Sequence, residues 1–249
     1  MLKATRQIKI LEYINSHQKV NTNALSENLE VSKDTIRRDL KELNNRGKLE
    51  KVYGGALLST KKPNQTVQVF IANESKKITI ANKAISLLQD GQVIIISGGT
   101  TNLVFARLIP LNLRITIYTY SLPIAIELSQ HPNIELIFIG GKMQKNAMVT
   151  IGLDVIQFLS NIKADLCFLG ASSINEEIGL TETGYEVSVV KKAMIQATEK
   201  VITMVTSEKL NTKMPHSVCE LNQIYAIISD LKPDDSRLNP FIKAGINVY

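Results

Sequence analysis

Ser32-Lys33-Asp34-Thr35-Ile36-Arg37-Arg38-Asp39-Leu40-Lys41-Glu42-Leu43 is the stretch on which the reading of this chain turns. Ser32 carries a side-chain oxygen of the kind that caps a helix N-terminus. Behind it Ile36, Leu40 and Leu43 recur at i, i+4 and i+7, the apolar stripe of one helical face. At 100° per residue, Asp34, Arg38 and Lys41 fall opposite that stripe, with Arg37 on one flank and Thr35 and Glu42 on the other. A short helix with a basic outer face has the form of an element that enters the DNA major groove by its N-terminal part. Ser32, Lys33 and Thr35 suit phosphate oxygens. Arg37 and Arg38 are long enough to reach base edges, where arginine pairs bidentately with guanine. An ordinary charged solvent face on a three-helix bundle would show much the same residues, so the flanking sequence has to decide.

Upstream, Ile8, Ile10, Leu11 and Ile14 predict a helix over residues 6–16. Thr22 can cap a very short second helix carrying Leu25 and Leu29. Downstream, Gly47 stops the third helix near Arg46, residues 49–53 read as a strand, and Gly54-Gly55 ends it. Tyr53, Gly54 and Gly55 form a compact tip that can approach a phosphate or the minor groove. Helix, short helix, turn, helix and β-ribbon is the order of a winged helix-turn-helix, placed at residues 1–57. Its DNA-facing set is Thr22, Ser32, Lys33, Thr35, Arg37, Arg38, Lys41, Tyr53, Gly54 and Gly55. The charge distribution agrees. Residues 1–62 hold 13 Lys and Arg against 7 Asp and Glu, whereas residues 63–249 hold 16 of each, so the net charge of +6 lies wholly in the first quarter. Such an excess suits DNA or an anionic membrane surface. Residues 58–75 start polar, lack periodicity and read as a linker.

From residue 76 to 249 short β-rich runs alternate with amphipathic stretches. Strands are predicted at 93–96, 115–118, 135–139, 165–169, 201–205 and 223–228, with a last one near Ile246. Helices are predicted at 78–88, 102–108, 123–128, 153–159 and 185–197. This alternation predicts an α/β domain with a mainly parallel sheet. Strand 93–96 runs into Ser97-Gly98-Gly99-Thr100-Thr101 and a helix, an arrangement in which backbone N–H groups and the helix dipole favour an anion. Tyr120-Ser121, Gly141-Lys142, Thr181-Glu182 and Lys209 follow the other strands, and such carboxyl ends share one crevice in an open parallel sheet. The crevice set of Ser97, Gly98, Gly99, Thr100, Thr101, Tyr120, Ser121, Gly141, Lys142, Thr181, Glu182 and Lys209 suits a phosphate joined to a polyol. Lys142 fits a solvated surface residue equally well.

Arg6, Ile10, Ile14, Ser32 and Thr35-Ile36-Arg37-Arg38-Asp39-Leu40, with the Gly54-Gly55-Ala56 ending, closely resemble the signature of the DeoR family of bacterial transcriptional regulators. The resemblance continues through Ala164-Asp165, Phe168-Leu169-Gly170-Ala171, Gly179-Leu180-Thr181 and Val190-Lys191-Lys192-Ala193-Met194, nearly the whole chain. It implies a C-terminal sensor domain related in fold to ribose-5-phosphate isomerase. It also implies a repressor of sugar-metabolism genes that a phosphorylated sugar releases from operator DNA. Ser97 and Thr206 stand where many members carry Asp, and Tyr120 where Asn is usual, so contacts made by those carboxylates do not carry over.

Other classes fit less well. The 249 residues, 44% hydrophobic, suit one large or two smaller packed domains. No apolar run approaches the roughly 20 residues of a membrane helix. The N-terminus, with Lys3, Arg6 and Lys9 and no apolar core behind them, is not a secretory signal. Cys167 and Cys219 are too few for a disulfide framework, and a cytoplasmic protein is expected. Those cysteines and three scattered histidines form no zinc spacing, and no cofactor is expected. The alternative reading is a sugar-phosphate isomerase with a DNA-binding appendage. It needs a placed acid and base, for which Glu182 and Glu208 are candidates, whereas His17, His131 and His216 lie away from suitable strand ends. One winged helix reads only a short half-site, so a homo-oligomer, dimer or tetramer, is expected.

Overall fold

The computed structural model describes residues 2–17, 19–45, 49–57 and 71–249. Two compact units are present, Met1–Thr66 and Val67–Tyr249. Among the described residues no helix is long and apolar enough to cross a membrane.

The first unit runs α1 (Lys3–His17), β1 (Lys19–Asn21), α2 (Thr22–Asn28), α3 (Lys33–Asn45), β2 (Glu50–Val52) and β3 (Gly55–Leu57). The stripe residues Ile36, Leu40 and Leu43 are buried against Ile10, Ile14 and Leu25, with Leu49 and Ala56 below them. Ser32 caps α3, its Oγ accepting from the Thr35 N–H at 3.2 Å. Three expectations change. Asn21, not Thr22, caps α2, its side chain accepting from Asn23 N at 2.8 Å. Ile8, placed in the apolar stripe of α1, is half exposed. Gly54-Gly55 turns the ribbon rather than ending it: Gly54 has φ +83°, and the chain returns as β3, which pairs with both β2 and β1. A Cβ on Gly55 would stand 1.9 Å from the Val20 carbonyl oxygen, so only glycine lets β3 lie against β1. Gly47, the expected stop for α3, lies outside the described residues.

The second unit opens with α4 (Glu74–Ile85), which begins within the stretch 58–75 read as linker, of which 58–70 lies outside the described residues. Then come β4 (Val93–Ile96), α5 (Thr100–Leu108), β5 (Ile115–Thr119), α6 (Leu122–Leu128) and β6 (Ile134–Phe138). A hairpin, β7 (Lys142–Gln144) and β8 (Val149–Ile151), leads to α7 (Leu153–Leu159) and β9 (Ala164–Gly170). Next are β10 (Ser173–Asn175), β11 (Gly179–Glu182), α8 (Tyr185–Gln196), β12 (Thr198–Val205), β13 (His216–Cys219), β14 (Ala226–Ser229), α9 (Asn239–Lys243) and β15 (Asn247–Val248). Among the described residues the main sheet is parallel throughout, in the order β15-β14-β12-β9-β4-β5-β6. Successive strand residues face opposite sides. Ile94 and Ile96 pack with Ile80, Phe105 and Ile124 of α4, α5 and α6, while Ile95 packs on the other face with Val155, Val190 and Phe241 of α7, α8 and α9. The chain builds outward from β4 through β5 and β6, then returns to β9 on the other side of β4. That reversal puts a switch point between β4 and β9, where the loops leaving their carboxyl ends part and open a crevice.

Candidate functional site

In the first unit the basic face is presented as the periodicity requires. Ser32, Lys33, Asp34, Arg37, Arg38 and Lys41 are exposed, and Thr35 is half-buried. Arg37 Nη1 donates to Asp34 Oδ1 at 2.9 Å, a surface pair that water screens and that leaves Arg37 able to exchange partners. Tyr53 is fully exposed at the tip of the β2–β3 hairpin. Thr22 is not on that face: it is buried, and its N–H donates to the Gly54 carbonyl at 2.9 Å. The orientation of α3 comes from groups the sequence reading left unassigned. Asp39 is buried and accepts from Arg6 Nε at 2.5 Å and from Gln7 Nε2 at 3.2 Å. Gln7 also donates to Glu42 at 3.0 Å, and Lys3 to Glu42 at 2.6 Å. The hydrogen bond to Asp39 holds the Arg6 guanidinium above its usual pKa, more than offsetting burial. Asp39 falls at the border of the arc of Ile36, Leu40 and Leu43, next to Leu43, and a carboxylate beside a buried stripe demands a cation. That signal was present in the sequence.

In the second unit a cavity of about 500 Å³ opens at the switch point. Gly98, Gly99, Thr100 and Thr101 line one side, Tyr120 and Ser121 another, and Glu182 and Lys209 a third, all from the expected crevice set. Gly99 has φ +113° and ψ 156° and leaves α5 without a side-chain cap. The first helical bond reaches back from Leu103 N to Gly99 O, 3.0 Å, so the amides of Thr100, Thr101 and Asn102 precede the helical ladder. Gly98 is small for a different reason: a Cβ there would stand 2.7 Å from Val149 Cγ1 of the β7–β8 hairpin.

Four expected residues are not in the cavity wall. Ser97 is buried behind the glycine turn, where its Oγ accepts from Gly170 N and from Asn102 Nδ2, both at 2.8 Å. Thr181 neighbours Glu182 on β11 and so faces the other way. Its Oγ1 meets Ser173 Oγ at 2.7 Å and accepts from Met214 N at 2.8 Å beside a separate surface groove. Lys142 is exposed and pairs with Glu186 at 3.3 Å. Gly141 packs near Val155 of α7 instead.

Lysines absent from the expected set supply much of the charge. Lys191 of α8 is buried in the wall and donates to Glu182 and to the Gly170 carbonyl, the latter at 2.7 Å. Lys77 of α4 is buried beside Thr100, whose Oγ1 accepts from it at 2.8 Å. Lys209 donates to the Ala171 carbonyl at 2.8 Å. Burial depresses the Lys209 ammonium, and the neighbouring Lys191 and Lys77 depress it further, with Glu182 and Glu208 offsetting only part. Burial raises the Glu182 carboxyl, but Lys191, Ser172 and the Thr183 N–H outweigh it and hold the group below the usual carboxylate range. Burial raises the Tyr120 hydroxyl, so this side chain is neutral. Asn102 Nδ2 is committed to Ser97 and the Gly98 and Phe168 carbonyls. Its buried Oδ1, and that of Gln144 (Oε1), meet no hydrogen-bond partner among the described residues, although both residues line the cavity. The wall thus combines amides and ammonium groups for an anion with spare acceptors for a donor. Among the described residues no cluster of His, Cys, Asp and Glu suits a metal ion.

Known proteins place these two arrangements together. The profile of the DeoR-like helix-turn-helix domain matches residues 6–62, and that of the DeoR C terminal sensor domain matches residues 72–231. The HTH-type transcriptional regulator GolR of Listeria innocua is 32% identical, covering 100% of this chain and 98% of its own. The HTH-type transcriptional repressor GlcR of Bacillus subtilis is 30% identical, covering 100% of this chain and 96% of its own. The L-fucose operon activator of Escherichia coli is 28% identical over 92% of this chain and 96% of its own. Ribose 5-phosphate isomerase A from Methanocaldococcus jannaschii is similar over 55% of each chain, at 21% identity and a TM-score of 0.42. With the sensor-domain match alone spanning more than half of its residues and full-length relatives at 30% identity and above, the chain belongs to the DeoR family of transcriptional regulators.

Proposed function

We propose that this regulator is a cytoplasmic repressor of sugar-metabolism genes and that a phosphorylated sugar in the β4–β9 cavity releases it from operator DNA. The observation that carries this reading is the pairing, in one cavity, of the uncapped N-terminus of α5 with buried Lys191 and half-buried Lys209. Helix N-terminal amides and ammonium groups make charge-assisted bonds to phosphate. The phosphate sits on the amides from Gly98 to Thr101, with the Thr100 and Thr101 hydroxyls and Lys209 completing its shell. The sugar extends toward Tyr120, Ser121 and Glu182, and its hydroxyls supply the donors that Asn102 Oδ1 and Gln144 Oε1 lack. Ser32, Lys33 and Thr35 take DNA phosphates, and Arg37, Arg38 and Lys41 face the bases. Repression is the sign that the repressor GlcR carries, while the L-fucose operon activator is a relative of the opposite sign.

Calorimetry with glucose 6-phosphate, fructose 6-phosphate, ribose 5-phosphate and glycerol 3-phosphate tests the sensor. Titration of a DNA site selected in vitro on the wild-type protein, with and without each compound, tests the switch. A coupling of about 1–3 kcal/mol would weaken DNA binding roughly 5–150-fold, and DNA would weaken the sugar phosphate by the same factor. Absence of binding by all four compounds would remove the reading. Tighter DNA binding with the sugar phosphate present would reverse its sign.

A further inference from the structure

The chain enters the second unit through residues 71–77, and the side chains of this short segment are committed to the loops around the cavity. Asn73 takes the left-handed conformation, φ 53°, and its Nδ2 donates to Glu208 Oε1 at 3.1 Å. Lys76 Nζ donates to Glu208 Oε2 at 2.9 Å and to Ser207 Oγ at 3.0 Å, and it lies 3.6 Å from Asp230 Oδ2. Asp230 in turn accepts from Ser207 N at 2.6 Å and Ser207 Oγ at 2.9 Å. Lys77 Nζ bridges the Ala72 carbonyl, 2.6 Å, and Thr100 Oγ1, 2.8 Å. The entry segment is therefore tied to two loops, 98–101 and 206–209. Those loops carry Thr100 and Lys209 into the cavity wall.

We propose that residues 71–77 are the output of the effector site: an anion seated between Thr100 and Lys209 shifts both loops, and the Lys76–Glu208 and Lys77–Thr100 ties pass that shift to the chain leading from the DNA-binding unit. The proposal rests on the sugar-phosphate reading of the cavity and adds the route by which occupancy leaves it. The chemistry favours a change of partners. A phosphate meets an ammonium with full opposite charge, where a carbonyl offers only a dipole. A phosphate beside Thr100 draws the Lys77 ammonium toward itself, which strains or loosens the tie to the Ala72 carbonyl. Asn73 is suited to the pivot, because asparagine is among the few side chains that tolerate the left-handed region. Lys76 and Glu208 make the second tie without lining the cavity. Cutting this tie separates transmission from ligand binding.

The test compares wild type with Lys76→Met and Glu208→Gln, using the full chain, the in-vitro-selected DNA site and the four phosphate esters named above. Glu208→Gln keeps the shape of the side chain and an acceptor toward Asn73, which guards against simple loss of folding in Lys76→Met. The expected result is unchanged affinity for the phosphate ester, within about threefold, with its 5–150-fold effect on DNA binding reduced to about twofold or less. Hydrogen exchange of residues 71–77 should respond to the ester in wild type and not in the variants. Full retention of the ester's effect on DNA in both variants would overturn the proposal while leaving the cavity reading intact. So would loss of ester affinity in parallel with the effect, because the tie would then belong to the site itself. Failure of all four esters to bind wild type would remove the cavity reading and this proposal with it.

Discussion

Single side chains decide how each half of the protein meets its partner. Arg38→Ala should cost about 1–3 kcal/mol of specific DNA affinity, as for a lost base contact, whereas Lys33→Ala should weaken binding to all sequences evenly. A gel-shift titration in which Arg38→Ala matched wild type on the selected site would misplace the groove-facing residues. Thr101→Val keeps the volume of a buried cavity residue but removes a donor, so calorimetry should show weaker phosphate-ester binding with DNA affinity of the empty protein unchanged. Asp39→Ala would take one charged hydrogen-bond partner from Arg6, a loss of about 1.5–3 kcal/mol, and urea melts of residues 1–57 within the full chain should show it. Glu208 gives a pH test. Burial raises its carboxyl, but Lys76, a backbone N–H, Thr206 and Asn73 together bring it down to about 2 from 4.5. A depressed folded value means its contribution to stability is complete above pH 4.5 and is lost as pH falls toward about 2. Carboxyl NMR should follow that titration and show it move up in Lys76→Met. Which of these residues the sequence reveals follows from physics. Ser32, Ile36 and Leu40 obey local rules of capping and period. Asn21 and Thr22 are adjacent residues that can both cap a helix, asparagine the better of the two, and the bond to Asn23 singles out Asn21. Lys77 and Lys191 look like solvated residues because the contacts that bury them come from distant parts of the chain.

The elements show the same division between local and distant causes. Strands β4, β5, β9 and β12 announce themselves as apolar runs because both faces are covered by helices. The strands β1, β7, β8, β10 and β13, of three or four residues, are too short for a period, and β13 pairs with β11 across more than thirty intervening residues. The missed β7–β8 hairpin matters for function, since Gln144 and Val149 close one side of the cavity while Lys142, at its outer end, does not. The turn before α5 is the element most open to a backbone test. Gly99 occupies a region of φ and ψ that is essentially closed to other residues, so Gly99→Ala should cost about 1–3 kcal/mol and disturb the amides that precede the helix. Thermal melts with and without phosphate ester check this. An unchanged melting temperature together with unchanged ligand affinity would show that the turn relaxes without harm.

The complete protein is expected to be a homo-oligomer, because a single winged helix buries only about 600–1,000 Å² on DNA and a second linked copy raises effective concentration. Light scattering at micromolar protein, alone and with the selected DNA, should find a dimer or a larger even assembly; a monomer in both conditions would refute it. DNA binding should also weaken steeply with added salt, since the positive charge is concentrated at the N-terminal end and counterion release dominates such contacts. The three ammonium groups in and beside the cavity carry one more consequence. Lys77 and Lys191 repel the Lys209 ammonium, and Glu182 and Glu208 offset only part of that repulsion. An effector dianion is then a counter-ion as well as a signal. At a hundred times its dissociation constant a ligand stabilises its host by about 2.7 kcal/mol. The vacant sensor should therefore be cut faster by thermolysin than the filled one, and phosphate or sulfate buffers should partly mimic the effector. With the proposed effector, the protein should last longest when its signal is present, and its abundance as well as its conformation should follow the supply of phosphate esters.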